Sequence, residues 1–586
     1  MVAVAASCSR HDEKPSVPVP VMFETLTDTQ TGLHFANTLT PNDSFNMFHY
    51  MYFYNGAGVG AGDFNNDGKT DLFFAANQVD SKLYLNDGNF KFRDVTAAAQ
   101  IPQDRSWSTG VSVIDINNDG LLDIYICKVG NYEVLHGKNQ LLVCKGINNG
   151  IPVYADETDQ YGLGFSGFSS QAVFFDYDMD GDLDMFLLNH SVHQNGTFAP
   201  RADFLGTYNA LSGDRLYRND GNKHFTDVTK ESRINSSAIS YGLGISVADI
   251  NLDGWPDLYV GNDFHENDYL YINQHDGTFK EECQQDFMHT SQFTMGVDVA
   301  DVNNDGYPEI IAMDMLPSDP YILKRSLGED EYDIFHHKID IGYMYQYTRN
   351  NFQYNRRNGM FSEAGLYSGI YASDWSWAPL WMDFDNDGLK DLFISNGIPK
   401  RMNDMDYANF ISDGEIQKQL HASKSGEKDM ALVNKFPEIK IPNRFFRNTG
   451  DLHFEDMNAA VDGSLPSFSN GAVYADLDND GDLDVVVNNV NQPVLVYQNK
   501  SNDKKDKPYV SVTLKGAATN VNAIGAKVVL YAGGGIRTYE KNPARGFESS
   551  MEEPLHIGLT NTKVDSAFLI WPDNSFQKID SCFKAN

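Results

Sequence analysis

Seven times along the chain a nine-residue segment returns with the same internal spacing. It reads DFNNDGKTD from Asp63, DINNDGLLD from Asp115, DYDMDGDLD from Asp176, DINLDGWPD from Asp249, DVNNDGYPE from Asp301, DFDNDGLKD from Asp383 and DLDNDGDLD from Asp476. Asp stands at position one, Asn or Asp at three, Asp at five, Gly at six, and Asp or Glu at nine. An Asn-Gly or Asp-Gly pair is enough to make a tight turn. A turn has no use for acids at one, five and nine, and crowded carboxylates repel unless a cation lies among them. The seven segments hold 26 of the 81 acidic residues, in a chain of 586 residues with net charge -36. Calcium, a hard ion that takes about six to eight oxygen ligands, suits this spacing. Seven such ions bring the net charge to about -22.

The flanking residues decide what kind of loop this is. A helix-loop-helix calcium site needs an acid at position twelve. Here that position holds Phe74, Ile126, Leu187, Val260, Ala312, Ile394 and Val487, all apolar. Short β-type runs lie on both sides, such as GVSVIDI before the second segment and DLFISN after the sixth. Each loop therefore joins two strands. A second signature follows at variable distance: LYLNDGNFKFRDVT, LYRNDGNKHFTDVT, LYINQHDGTFKEE and FFRNTGDLHFEDM. It reads as a strand, a turn and a further strand. Four antiparallel strands repeated seven times predict an all-β chain and a seven-bladed β-propeller, with the acidic loops between the first and second strands of each blade. The seventh repeat has no fourth strand of its own, and residues 22–27 near the start match that pattern. They are expected to complete blade seven and leave no open sheet edge.

These repeats resemble the FG-GAP or VCBS repeats of integrin α-subunits and of secreted bacterial proteins, over about residues 21–500. The resemblance implies calcium ligands from the side chains at positions one, three, five and nine and from the carbonyl at seven. Carried onto this chain, the side-chain ligands are Asp63, Asn65, Asp67 and Asp71; Asp115, Asn117, Asp119 and Asp123; Asp176, Asp178, Asp180 and Asp184; Asp249, Asn251, Asp253 and Asp257; Asp301, Asn303, Asp305 and Glu309; Asp383, Asp385, Asp387 and Asp391; and Asp476, Asp478, Asp480 and Asp484. The remainder, 507–586, resembles the ASPIC/UnbV domain of the cartilage acidic protein family and its bacterial relatives, through NAIGAKV at Asn522–Val528, LHIGL at Leu555–Leu559 and WPDNSFQ at Trp571–Gln577. RGFESSM replaces the more usual Gly-Tyr-x-Ser-Gln, and a final strand is missing. A small, incomplete β-domain is expected there.

Composition narrows function. A net charge of -36 excludes a nucleic-acid binder, which needs basic surface. No run of 18 apolar residues is present, so membrane association is expected only through a lipid. VAVAAS before Cys8, followed by a polar, Pro-rich stretch, resembles the end of a bacterial lipoprotein signal, although the basic region and most of the apolar region are missing. Residues 1–20 are read as that remnant and a linker, Cys8 as the lipidation site, and the protein as exported to the outer membrane or cell surface; a ragged apolar terminus is the alternative. Cys127 and Cys144 either pair or remain buried thiols.

In an antiparallel blade the acidic loops occupy one end. The long insertions, about 190–213, 314–350 and 397–442, join second to third strands and rise from the other end. Variable loops on a rigid frame carry recognition. Tyr343, Tyr345, Tyr347, Arg349 and Arg356 are the candidate ligand residues, against the alternative of a strand whose rings pack on the blade beneath. Trp375 and Trp377 read as core or channel lining. His190, His193, His336 and His337 read as surface histidines, since no nucleophile or metal spacing accompanies them. The first reading is a calcium-stabilised cell-surface protein that captures a glycan or a protein partner, with no catalytic residues assigned. The alternatives are a calcium-dependent polysaccharide lyase or hydrolase on the same frame, and a structural subunit of an outer-membrane uptake complex.

Overall fold

A computed structural model describes residues 20–193, 199–412 and 429–583. Cys8 lies outside them. The fold is all-β with repeated sheets, and the longest described helix, Tyr332–Asp340, has nine residues. In seven sheets, four strands pair antiparallel. The first strands are Val59–Gly62, Ser108–Ile114, Ser169–Phe175, Gly242–Ala248, Val297–Ala300, Ser376–Met382 and Ser469–Ala475. The second strands are Asp71–Phe74, Asp123–Lys128, Asp184–Asn189, Asp257–Asn262, Glu309–Ala312, Asp391–Asn396 and Asp484–Asn489. The acidic segments are the turns between them, here called loops one to seven in chain order. In the seventh sheet, Phe23–Leu26 pairs antiparallel with Leu495–Asn499, and Val461–Asp462 adds a parallel strand outside it.

The first strands are almost wholly buried. Each packs against the first strand of the next sheet, and that of sheet seven packs against that of sheet one. An asparagine at the end of the third strand reinforces this order. Asn273, Asn355, Asn448 and Asn499 donate from Nδ2 to the carbonyl of the second residue in the preceding loop, at Tyr177, Ile250, Val302 and Phe384. Asn86 of sheet one makes the same bond, at 2.8 Å, to Leu477 of loop seven. Sheet two has Cys144 at this register. Cys127 and Cys144 are both buried and free, so the pairing left open by the sequence does not form.

The C-terminal unit has a sheet of Gly535–Glu540, Lys527–Ala532, Val564–Ile570 and Phe576–Lys578, and a pair of Tyr509–Val512 with Leu555–Gly558. Residues 544–552 leave it as a hairpin and pack against the first strands. Ser549–Glu552 pairs parallel with Val59–Gly62. Val111 N donates to the Glu548 carbonyl at 2.9 Å, Gly546 exchanges backbone bonds with Val297, and the Phe547 ring lies 4.8 Å from that of Trp377. Arg545 Nη1 sits 2.9 Å from Asp298 Oδ1, an ion pair in which Asp298 is fully buried and Arg545 largely so. Small residues make room for this hairpin. A Cβ on Gly58 would lie 1.6 Å from the Glu548 carbonyl oxygen.

The insertions are tied down by buried charges. Arg201 pairs with Glu266 at 2.7 Å, Lys338 with Asp330 at 2.6 Å, and Arg401 with Asp374. Residues of the N-terminal segment before Gly58 cross the same end: Tyr50 Oη lies 2.7 Å from His190 Nε2, and Tyr52 Oη donates to Asp263. This corrects the reading of His190 as a surface residue. Its ring is buried between Tyr50 and Ser170, and burial pushes its pKa down to about 3. His193, His336 and His337 are exposed. Trp375, Trp377 and Trp381 are all core.

Gly58→Ala is expected to cost roughly 3 kcal/mol or more, because a main-chain carbonyl must move to admit the methyl group. Denaturant unfolding measures the loss. Hydrogen exchange should show it concentrated in residues 544–552 and 59–62; a neutral substitution would mean that the hairpin is not seated against the first strands.

Candidate metal centre

The seven loops share one pattern of internal hydrogen bonds, with single departures in loops four and five. The position-one carboxylate accepts from the Gly N–H at six, over 2.7–3.2 Å. In every loop but the fourth its other oxygen accepts from the N–H at five. The carboxylate at five accepts from the N–H at seven. The carboxylate at nine accepts from the N–H at two. Its second oxygen accepts from a third-strand N–H in six loops; in loop five the longer Glu309 instead takes Asn303 Nδ2. The acids at one and nine are thus pulled inward by backbone donors, and position four takes a left-handed turn, with φ of 55–62°.

In loops three, six and seven, Asp occupies position three. There Asp176, Asp178 and Asp184, then Asp383, Asp385 and Asp391, then Asp476, Asp478 and Asp484 each bring carboxylate oxygens within 4.8 Å of one another. Oδ1 of Asp178, Asp385 and Asp478 is buried without a hydrogen-bond partner. Three converging acids and an orphaned oxygen fit a divalent cation. In loops one, two, four and five the third residue is Asn65, Asn117, Asn251 or Asn303, whose Oδ1 accepts from the N–H at five. An amide oxygen has a second lone pair, so it still suits a hard ion.

Burial is the main force on the position-nine acids, and on Asp176 and Asp383, and makes them resist ionisation. Asp71 and Asp123 are pushed up to about 8, Asp184 to about 9, and Asp176 and Asp383 to about 7. Neighbouring carboxylates add to the rise. A cation among them would reverse the balance.

Two contributors carried no role in the sequence reading. Asn66, Asn304, Asn386 and Asn479, at position four, donate to the Gly carbonyl of the next loop; Asn479 reaches Gly68 of loop one. Their signal was the repeated Asn beside the more obvious acids. The second contributor is the C-terminal unit, which lies over the loop end. It bonds Thr70 through Glu553, Asn118 through Val521, Asp249 through Lys527, Asp301 through Thr538 and Asn386 through Thr560, while Thr519 faces Gly181 and the Tyr509 ring faces Gly481.

The five candidate ligand residues do not form one site. Tyr343 is buried. Arg356 lies past the far end of its strand, towards the loop end of sheet five. Tyr345, Tyr347 and Arg349 stay together at the insertion end: Arg349 lies over the Tyr347 ring at 4.8 Å, and Phe335 sits 5.9 Å from both tyrosine rings.

Sheet repeats with an acidic loop in each define an all-β repeat protein with candidate cation sites. Family comparison agrees with that class. Residues 63–126, 200–260 and 249–312 match the FG-GAP-like repeat, and 516–582 match the ASPIC and UnbV family. The chain therefore carries FG-GAP-like repeats followed by a C-terminal ASPIC/UnbV domain. It is 31% identical over 123 residues to integrin alpha-6 of Gallus gallus, covering 19% of this chain and 11% of that protein. Among solved structures, an Agrocybe aegerita lectin described as recognising non-reducing terminal N-acetylglucosamine aligns at TM-score 0.35 and 14% identity, over 76% of this chain and 95% of its own. The V. cholerae biofilm matrix protein Bap1 aligns at TM-score 0.36 and 11% identity, over 91% and 100%.

The raised carboxyls fix the sign of a pH dependence. Between about pH 4 and the folded-state values near 8 and 9, the cation-free folded chain holds more protons than the unfolded chain. Its stability therefore falls as pH rises. In chelator, the melting temperature is expected to be higher at pH 5 than at pH 8. With millimolar calcium the order should reverse. Calorimetry under the four conditions checks this, and a cation-free chain that is most stable at pH 8 would contradict it.

Proposed function

We propose that the seven sheets close into a seven-bladed propeller held by calcium in its acidic loops, and that the protein binds a glycan at the insertion end. Closure is supported by the contact of each first strand with the next and by the Asn86–Leu477 and Asn479–Gly68 bonds between sheets one and seven. Calcium is supported by the three carboxylate clusters and their orphaned oxygens.

The observation that carries the binding reading is a row of aromatic rings on the 314–350 insertion. Tyr332 packs on His336, His336 on Phe335, and Phe335 on Tyr345 and Tyr347. Tyr332 is 75% exposed and Tyr345 49%. Sugar rings offer apolar C–H faces that stack on such rings, while nearby polar groups fix orientation. The loop end is taken up by the C-terminal unit, which leaves the insertion end as the recognition surface. A protein partner is the second reading, since exposed tyrosines also anchor protein interfaces.

Two measurements test this. At millimolar calcium each weak site adds of order 1 kcal/mol, so chelator should lower the melting temperature by at least about 5 °C. A glycan array should show selective binding, reduced at least about tenfold in Tyr332→Ala and Tyr345→Ala at unchanged melting temperature. An array with no binding, together with tyrosine-dependent capture of a protein, would overturn the glycan reading.

A further inference from the structure

Loop four departs from the other six. In those, the position-one carboxylate accepts from the N–H at five over 2.9–3.1 Å. In loop four the Asp253 N–H turns to Asn251 Oδ1 alone, and Asp249 Oδ1 has no partner. Asp249 Oδ2 accepts instead from Lys527 Nζ at 2.7 Å, besides the usual Gly254 N–H. Lys527 opens a strand of the C-terminal sheet, paired with Glu540, and its side chain is 15% exposed. The position-five acid is also engaged, because Asp253 Oδ2 lies 2.9 Å from His275 Nε2.

Other loops meet basic side chains differently. Lys69 and Arg357 touch the position-five acids of loops one and five. Arg447 takes Asp385 Oδ2 in loop six but leaves Asp385 Oδ1 without a partner, and Asp383 keeps the common bonding. Among the described residues, loop four is the one in which a basic side chain reaches the position-one carboxylate.

We infer that Lys527 serves as the built-in cation of loop four, so that this loop takes no divalent ion while Lys527 is present. The inference rests on the calcium reading of the remaining loops. A buried ammonium on a ligand oxygen both neutralises the loop and repels a second cation a few ångströms away. It also joins the C-terminal unit to the loop end by a bond that needs no metal.

Loop four carries its own reporter, since Trp255 stands at position seven. An indole next to a bound terbium ion sensitises its emission. The test uses the full chain, titrated with terbium and, separately, with calcium in equilibrium dialysis. Wild-type protein should give no terbium emission that depends on Trp255, judged against Trp255→Phe. Lys527→Met should gain such emission and bind one calcium more per chain. Asp249→Asn in the wild-type background should leave the calcium count unchanged, whereas Asp383→Asn should lower it by one. Trp255-dependent emission from wild-type protein, or loss of one calcium in Asp249→Asn, overturns the inference. Should Lys527→Met fail to fold, the Asp249→Asn and Asp383→Asn pair still decides it. A wild-type chain that binds no calcium at all defeats the calcium reading instead, a result distinguishable from seven ions bound.

Discussion

Each sheet hangs on one buried carboxylate, at position nine of its acidic loop. That side chain accepts from the loop backbone with one oxygen and, in six sheets, from the third strand with the other. It therefore fixes the turn and aligns the strand beyond. The same geometry removes the acid from water, and a buried anion is costly unless a positive charge accompanies it. With this conflict go the inward backbone donors and the neighbouring acids, an arrangement that fits a divalent cation.

The first strands and the C-terminal hairpin depend on each other in a similar way. Without the hairpin, backbone groups of the first strands would lack partners, as Val111 N and Val297 N show by bonding Glu548 and Gly546. The hairpin also pairs with Val59–Gly62 and sets Phe547 against Trp377. Arg545 and Asp298 are tolerable there because each satisfies the other. The C-terminal unit is thus part of the frame, and its contacts with the acidic loops make loop chemistry and domain docking one problem.

Much of this was legible in the sequence, and for a physical reason. Turn residues, short β-type runs and closely spaced acids are local properties, so a repeated motif states them seven times. All-β character, the strand–loop–strand unit and the position of each acid follow directly. The residues that failed to read were those whose role depends on a distant partner. RGFESSM looked like a departure within a small domain, whereas Gly546 and Glu548 bond first strands several hundred residues away. His190 looked like a surface histidine, since nothing nearby in sequence announces Tyr50. Tyr343 shared a run with Tyr345, yet a short irregular segment has no fixed period, so one ring turned inward and the other out.

Phe23–Leu26 completes the seventh sheet, and Ser549–Glu552 adds a parallel strand to the first. Sheet seven takes its fourth strand from the opposite end of the array, so it stays unfinished until both stretches of chain are present. Contacts that span almost the whole sequence are slow to form, and they leave strand edges open to wrong partners in the meantime. A chain wired like this protects its outer sheet edges only once the two ends of the array have met.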